Sequence, residues 1–143
     1  MKLMKLMIFE IIDKVKAAKT KKEKIEILQK NDSWALRDVL KGTLDPKIQW
    51  ELPGGKPPYE ANEEYGIPSN LLKKNVLFKY FVKGNPATKN MNVYKRERMF
   101  IELLESIHPR DAELVVQMIN KEKIGGGITA NLVNAAFPKL VSS

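Results

Sequence analysis

The sequence predicts an all-α protein: a single-domain bundle of about five to seven short helices, interrupted by a long Pro/Gly-rich connection over 43–68. Three observations predict it. Apolar residues recur at helical spacing through both ends of the chain, capping residues stand in front of those stretches, and the helix breakers collect between them. A chain of 143 residues fits one domain, and 43% apolar residues supply enough material for a core. Residues 1–143 are therefore read as one helical unit with 43–68 as an irregular insert, and no internal repeat is visible.

The first helix is expected over roughly 5–18, its stripe formed by Leu6, Phe9 and Ile12 or by Ile8, Ile11 and Val15. Thr20-Lys21-Lys22-Glu23 has capping-box spacing, which starts a second helix that runs to about Lys30 and buries Ile25 and Leu28. Ser33 caps a third helix carrying Trp34, Leu36, Val39 and Leu40, with Gly42 placed to stop it. Through 43–68, Pro46, Pro53, Gly54, Gly55, Pro57, Pro58, Gly66 and Pro68 forbid long regular structure, and Trp50 and Tyr59 are expected to pin the connection to the body. Leu71 to Val82 is apolar, aromatic and laced with lysine, and periodicity leaves helix and strand both open there. Gly84 to Asn92 reads as a polar loop. Tyr94 to Ile107 is a helix with Leu103 and Leu104 inward, and Pro109 suits the first turn of the next, which buries Leu114, Val115 and Met118. Thr129 caps a last short helix over Ala130 to Phe137, stopped by Pro138.

Charge is segregated within a formal net +8. Residues 1–24 carry +5 and residues 69–98 carry +7, whereas 25–68 and 99–120 are each −3. Such blocks give a folded protein a positive face that attracts phosphate polymers. The absence of cysteine excludes disulfides, thiolate zinc sites and cysteine nucleophiles, and the single His108 leaves no histidine-rich metal site. No cofactor or metal is expected, no base–nucleophile pair is visible, and the chain reads as a non-enzyme of the cytoplasm. No uninterrupted apolar run is long enough to span a membrane. The Met/Lys-rich start is read as an amphipathic helix whose stripe enters the core rather than a lipid surface.

Three segments are candidate phosphate sites. In Lys121-Glu122-Lys123-Ile124-Gly125-Gly126-Gly127-Ile128-Thr129-Ala130-Asn131, three glycines leave amides unshielded just before a helix. Lys121 and Lys123 add charge there, and Thr129 and Asn131 add side-chain donors. It is not a nucleotide-hydrolysing P-loop, because no Lys-Ser or Lys-Thr pair follows the glycines. The stretch 73–98 offers Lys73, Lys74, Lys89, Lys95 and Arg96 to phosphates, with its aromatics Phe78, Tyr80 and Phe81 read as core. Lys14, Lys16, Lys19, Lys21, Lys22 and Lys24 form a third cluster across the first interhelical turn.

Two of these stretches carry a resemblance. Ile12-Asp13-Lys14-Val15 through Thr20-Lys21-Lys22-Glu23-Lys24-Ile25-Glu26-Ile27-Leu28-Gln29-Lys30-Asn31, and Asp111-Ala112-Glu113-Leu114-Val115-Val116 through Gly125-Gly126-Gly127-Ile128-Thr129-Ala130-Asn131 to Phe137-Pro138, are similar to the N-terminal helical DNA-binding domain of ATP-dependent DNA ligases, the bacteriophage type in particular. Residues 43–92 do not share the pattern. The resemblance implies a grip on duplex DNA through backbone phosphates across the minor groove, with Gly125, Gly126, Gly127, Thr129 and Asn131 at the strands. It implies a small accessory protein of DNA replication, repair or phage DNA metabolism, working in a bacterial host if phage-encoded. Ligation itself is not expected, since no Lys-x-Asp-Gly motif is present. The alternative is a protein-interaction module of the same fold that docks on a replication or transcription complex through 43–68.

Overall fold

The computed structural model describes residues 6–61 and 71–142. Helix α1 (Ile8–Ala17) buries Ile8, Ile11, Ile12 and Val15, so the second of the two expected stripes faces the core. Residue 5, where the first helix is expected to begin, lies outside the described residues. At its start, Glu10 Oε1 accepts from the Met7 amide at 2.9 Å. Helix α2 (Lys21–Lys30) begins as the capping signal predicts, with Thr20 Oγ1 accepting from the Glu23 amide at 3.1 Å. The return bond differs by one residue: Glu23 Oε2 accepts from the Lys19 amide at 3.4 Å.

Helix α3 (Trp34–Leu44) is capped by Ser33, whose Oγ accepts from the Leu36 amide at 3.0 Å. It does not stop at Gly42. The helix continues for two more residues because this glycine serves packing rather than termination. A Cβ built on Gly42 would lie 2.6 Å from the Trp50 ring and 2.8 Å from Met118 Sδ. The missing side chain lets the Trp50 indole lie on the helix and donate from Nε1 to the Gly42 carbonyl at 3.1 Å. Trp34, read with the apolar residues of α3, instead faces outward and is 76% exposed.

The proline-rich connection is tied down where it is described. Glu51 donates to the Phe81 carbonyl and Lys83 to the Gln49 carbonyl, flanking an isolated antiparallel bridge between Trp50 and Val82. Asn120 clamps Gly55 from both sides of its peptide, accepting from its amide at 2.7 Å and donating to its carbonyl at 3.0 Å. Tyr59 packs half-buried against the core. The rest of the connection, 62–68, lies outside the described residues. The ambiguous stretch beyond it is helical: α4 (Leu71–Lys74) passes into a 3-10 helix (Asn75–Phe81) that buries Phe78 and Phe81. The loop expected over 84–92 contains a single turn, α5 (Pro86–Lys89), capped by Asn85 with proline in its first turn.

Helices α6 (Val93–Ser106) and α7 (Pro109–Ile119) meet at His108, whose Nδ1 accepts from the Arg110 amide at 3.1 Å and whose ring stacks on Phe9 at 4.4 Å. The lone histidine is thus a helix cap. Helix α8 (Ala130–Ala136) is capped by Thr129. The described residues form eight α-helices and one 3-10 helix. The number exceeds the five to seven expected because α4, the 3-10 helix and α5 are too short to leave an apolar period in the sequence. In the packing, α1 lies on α2 and α2 on α8, while α4, α5 and α6 surround the 3-10 helix. Helix α3 packs on α4, the 3-10 helix and α7, and α7 reaches both α1 and α6, so this pair joins the two groups. Among the described residues no helix is long and apolar enough to cross a membrane.

Candidate nucleic-acid interface

The glycine turn is open. Gly125, Gly126 and Gly127 are exposed and all have positive φ, at 85°, 59° and 80°, a conformation that L side chains resist. Buried Ile124 and Ile128 anchor the turn on either side, and the Ile128 amide donates to the Gly125 carbonyl at 3.1 Å. The amides of the three glycines have no protein acceptor among the described residues. Three consecutive donors are therefore left to whatever the solvent side brings.

The turn rests on the corner between α1 and α2. A Cβ on Gly126 would stand 2.4 Å from Lys16 Cγ and 3.0 Å from Lys16 Cα, and one on Gly127 would stand 3.4 Å from Lys24 Cε. Two of the three candidate segments thus converge: the glycines meet the lysine cluster of the first interhelical turn. Lys14, Lys16, Lys19, Lys21, Lys22 and Lys123 are all exposed, and none makes an ion pair among the described residues. Lys24 differs, since its Nζ donates to the Val15 and Ala18 carbonyls at 2.8 Å each and closes the C-terminus of α1. Thr129 is exposed, but its hydroxyl oxygen accepts from the Leu132 amide at 3.3 Å as the α8 cap. Asn131 is exposed on the first turn of α8.

Two cations expected at phosphates are engaged in the fold instead. Lys121 lies in the left-handed region, with φ 55°, which turns its side chain back to α3. Its Nζ donates to the Gly42 and Asp45 carbonyls at 2.7 Å each. Burial lowers its pKa, partly opposed by the Asp45 carboxylate. Arg96 is buried, and its Nη2 donates to the Thr88 and Met91 carbonyls at 2.9 and 3.0 Å. Both were expected on the surface because sequence counts charges and cannot see which carbonyls a helix end leaves open.

The basic stretch 73–98 is not gathered at the glycine corner. Lys73 and Lys89 are exposed and Lys74 is half-buried, on α4 and α5, and Lys95 is exposed on α6. These elements belong to the group around the 3-10 helix. Phe78 and Phe81 are core, as expected, and Tyr80 is partly buried, but Tyr94 is 81% exposed. Among the described residues no three His, Asp or Glu side chains are placed to hold a metal ion.

A family model described as "Family of unknown function (DUF6433)" matches residues 11–124, about four-fifths of the chain. The chain belongs to DUF6433. No curated protein matches it. The DUF6433 match begins within α1 and takes in all of α2 through α7 with Lys21, Lys22, Lys121 and Lys123, and the glycine turn and α8 follow it.

Proposed function

We propose that the protein binds double-stranded nucleic acid, DNA in the first instance, through backbone phosphates at the corner of the glycine turn and the α1–α2 junction. It acts there without catalysis and without reading sequence, as an accessory protein of DNA metabolism. One observation carries the reading: three adjacent unpartnered amides lie directly on a corner with six lysines and a single acid, Glu23, between residues 14 and 24. Amides and lysines of this kind hold phosphate oxygens but do not distinguish bases. The choice of duplex over single strand rests on the likeness of these same two stretches to the DNA-ligase binding domain.

The test is a salt titration of binding to duplex and single-stranded DNA by fluorescence anisotropy. Log K should fall against log[salt] by about 0.9 per phosphate neutralised, so five contacts would lose about 500-fold between 50 and 200 mM salt. The variant Lys21→Glu/Lys22→Glu is well suited, because acids in the first turn of α2 favour the helix dipole and keep the fold. It should weaken binding to every duplex alike and reduce the slope by about 1.8. Unchanged affinity and slope in that variant would sink the reading.

A further inference from the structure

Away from the glycine corner, α3, the 3-10 helix and the start of the proline-rich connection enclose an open groove of about 800 Å³. Its floor is apolar, built from Ile48, Trp50, Phe78 and Val82. Two large apolar side chains of its lining are left in solvent: Trp34 is 76% exposed and Val76 is 64% exposed. Isolated exposed apolar residues are ordinary, but an exposed tryptophan beside a concave apolar floor has the anatomy of a binding hot spot, and Val76 extends its apolar area.

The charge around the groove limits what fits. Lys73 and Lys79 stand exposed on it, and neither makes an ion pair among the described residues. Lys41 also lines it, but its Nζ is held by Asp45 Oδ2 and the Leu140 carbonyl. The one acid of the lining, Asp38, accepts from Asn75 Nδ2 at 2.7 Å and keeps its charge, so Lys73 and Lys79 outnumber it two to one. Lys79 Nζ lies 5.3 Å from the centre of the Tyr80 ring, but neither ammonium has a carboxylate partner among the described residues, and an apolar trough flanked by such cations is complementary to a segment that carries acids beside large apolar residues. A nucleobase would stack on an exposed ring, and Trp34 is the exposed ring of this lining, so single-stranded DNA is included in the test as a competitor.

We propose that this groove docks a protein partner through an acidic peptide segment that inserts one or two aromatic or long aliphatic side chains against Trp34 and Val76. Carboxylates flanking those anchors pair with Lys73 and Lys79. The site is separate from the phosphate corner and does not rest on it, so a nucleic-acid-bound molecule keeps it free to recruit another protein.

Panning a random 12-residue peptide library against the full chain tests this, followed by titration of the selected peptides, fluorescein-labelled, with fluorescence anisotropy as readout. The expected peptides combine Asp or Glu with aromatic or aliphatic anchors and bind Trp34→Ala and Lys73→Glu/Lys79→Glu at least tenfold more weakly. Both variants alter exposed side chains, and unchanged circular dichroism verifies that they fold. The proposal is overturned if no peptide is enriched, if the selected peptides lack acids, or if they bind both variants as tightly as wild type. It is equally overturned if oligo(dT) competes at the groove, or if sedimentation shows a dimer that Trp34→Ala dissociates, which would make the occupant a second copy of this chain.

Discussion

Replacing Lys121 by methionine separates a structural cation from a phosphate ligand. Methionine keeps most of the apolar stem and removes the ammonium that donates to the Gly42 and Asp45 carbonyls at 2.7 Å. A hydrogen bond from a charged donor contributes about 1.5–3 kcal/mol. Two such bonds do not simply double that here, because neither carbonyl is orphaned when the lysine goes. The Gly42 carbonyl still accepts from Trp50 Nε1 at 3.1 Å, and the Asp45 carbonyl still accepts from the Ile48 amide at 3.1 Å. Neutralising the penalty of holding a half-buried ammonium offsets part of the remainder. The expected loss is therefore about 1.5–3 kcal/mol in total, a fall in melting temperature of about 5–12 °C for a domain of this size.

The matched control is Lys123→Met, two residues away. Lys123 is exposed and without an ion pair among the described residues, so its replacement should change stability by no more than about 0.5 kcal/mol. In duplex binding the order reverses: Lys123→Met lowers the salt slope by about 0.9 and Lys121→Met leaves it unchanged when measured well below its melting temperature. Thermal melts by circular dichroism and anisotropy titrations decide the matter. If Lys121→Met melts within a degree of wild type and loses duplex affinity, Lys121 is a phosphate ligand and the reasoning from its carbonyl partners is wrong.

Two further perturbations follow from single residues. Burial raises the Asp111 carboxyl to about 6, although its Oδ1 accepts from the Phe9 amide at 2.9 Å. The fold favours the protonated form, so this group's contribution to stability is full below pH 4 and is lost as pH rises to about 6. Asp111→Asn should gain on wild type by up to about 3 kcal/mol between pH 4 and 7 in urea titrations, and a difference independent of pH would refute the assignment. At the glycine corner, Gly125→Ala meets only the left-handed backbone penalty of about 1–2 kcal/mol, since nothing lies near its Cβ. Gly126→Ala meets the same penalty plus the Lys16 backbone 3.0 Å away, and should be the less stable of the two in the same assay. Equal stability would mean that the turn does not rest on α1.

The elements with a full apolar period were legible in the sequence, and so were the starts of α2, α3, α7 and α8, whereas α1 begins at Ile8 rather than near residue 5. Ser33, Thr20 and Thr129 cap where a side-chain oxygen three residues ahead of an amide says they should. What escaped is tertiary in origin. Gly42 looks like a terminator from one dimension and is a seat for Trp50 in three. The 71–81 stretch carries no period because a short α-turn runs into a 3-10 helix, whose three-residue repeat places Asn75, Phe78 and Phe81 inward instead. At the candidate site, the exposed glycines and their lysine neighbours were readable as separate signals. That Gly126 presses on Lys16 was not, because contact between residues 110 apart leaves no mark on local spacing.

The same physics explains why the net charge overstates the cations free for the proposed binding surface. A protein made of many short helices has many C-termini, and each leaves carbonyls unpaired with a partial charge of about −0.5. Lys24 serves this need at α1, Lys121 at α3 and Arg96 at α5, each with two donations to carbonyls. Part of the formal +8 is thus an internal requirement of the architecture, fixed by helix ends rather than by any partner. The cations that remain for the proposed phosphate contacts are those with no carbonyl or carboxylate already at hand, and at the glycine corner they are Lys14, Lys16, Lys19, Lys21, Lys22 and Lys123. Charge reversal at those six should therefore act on binding, whereas the same change at Lys24, Lys121 or Arg96 acts first on the fold.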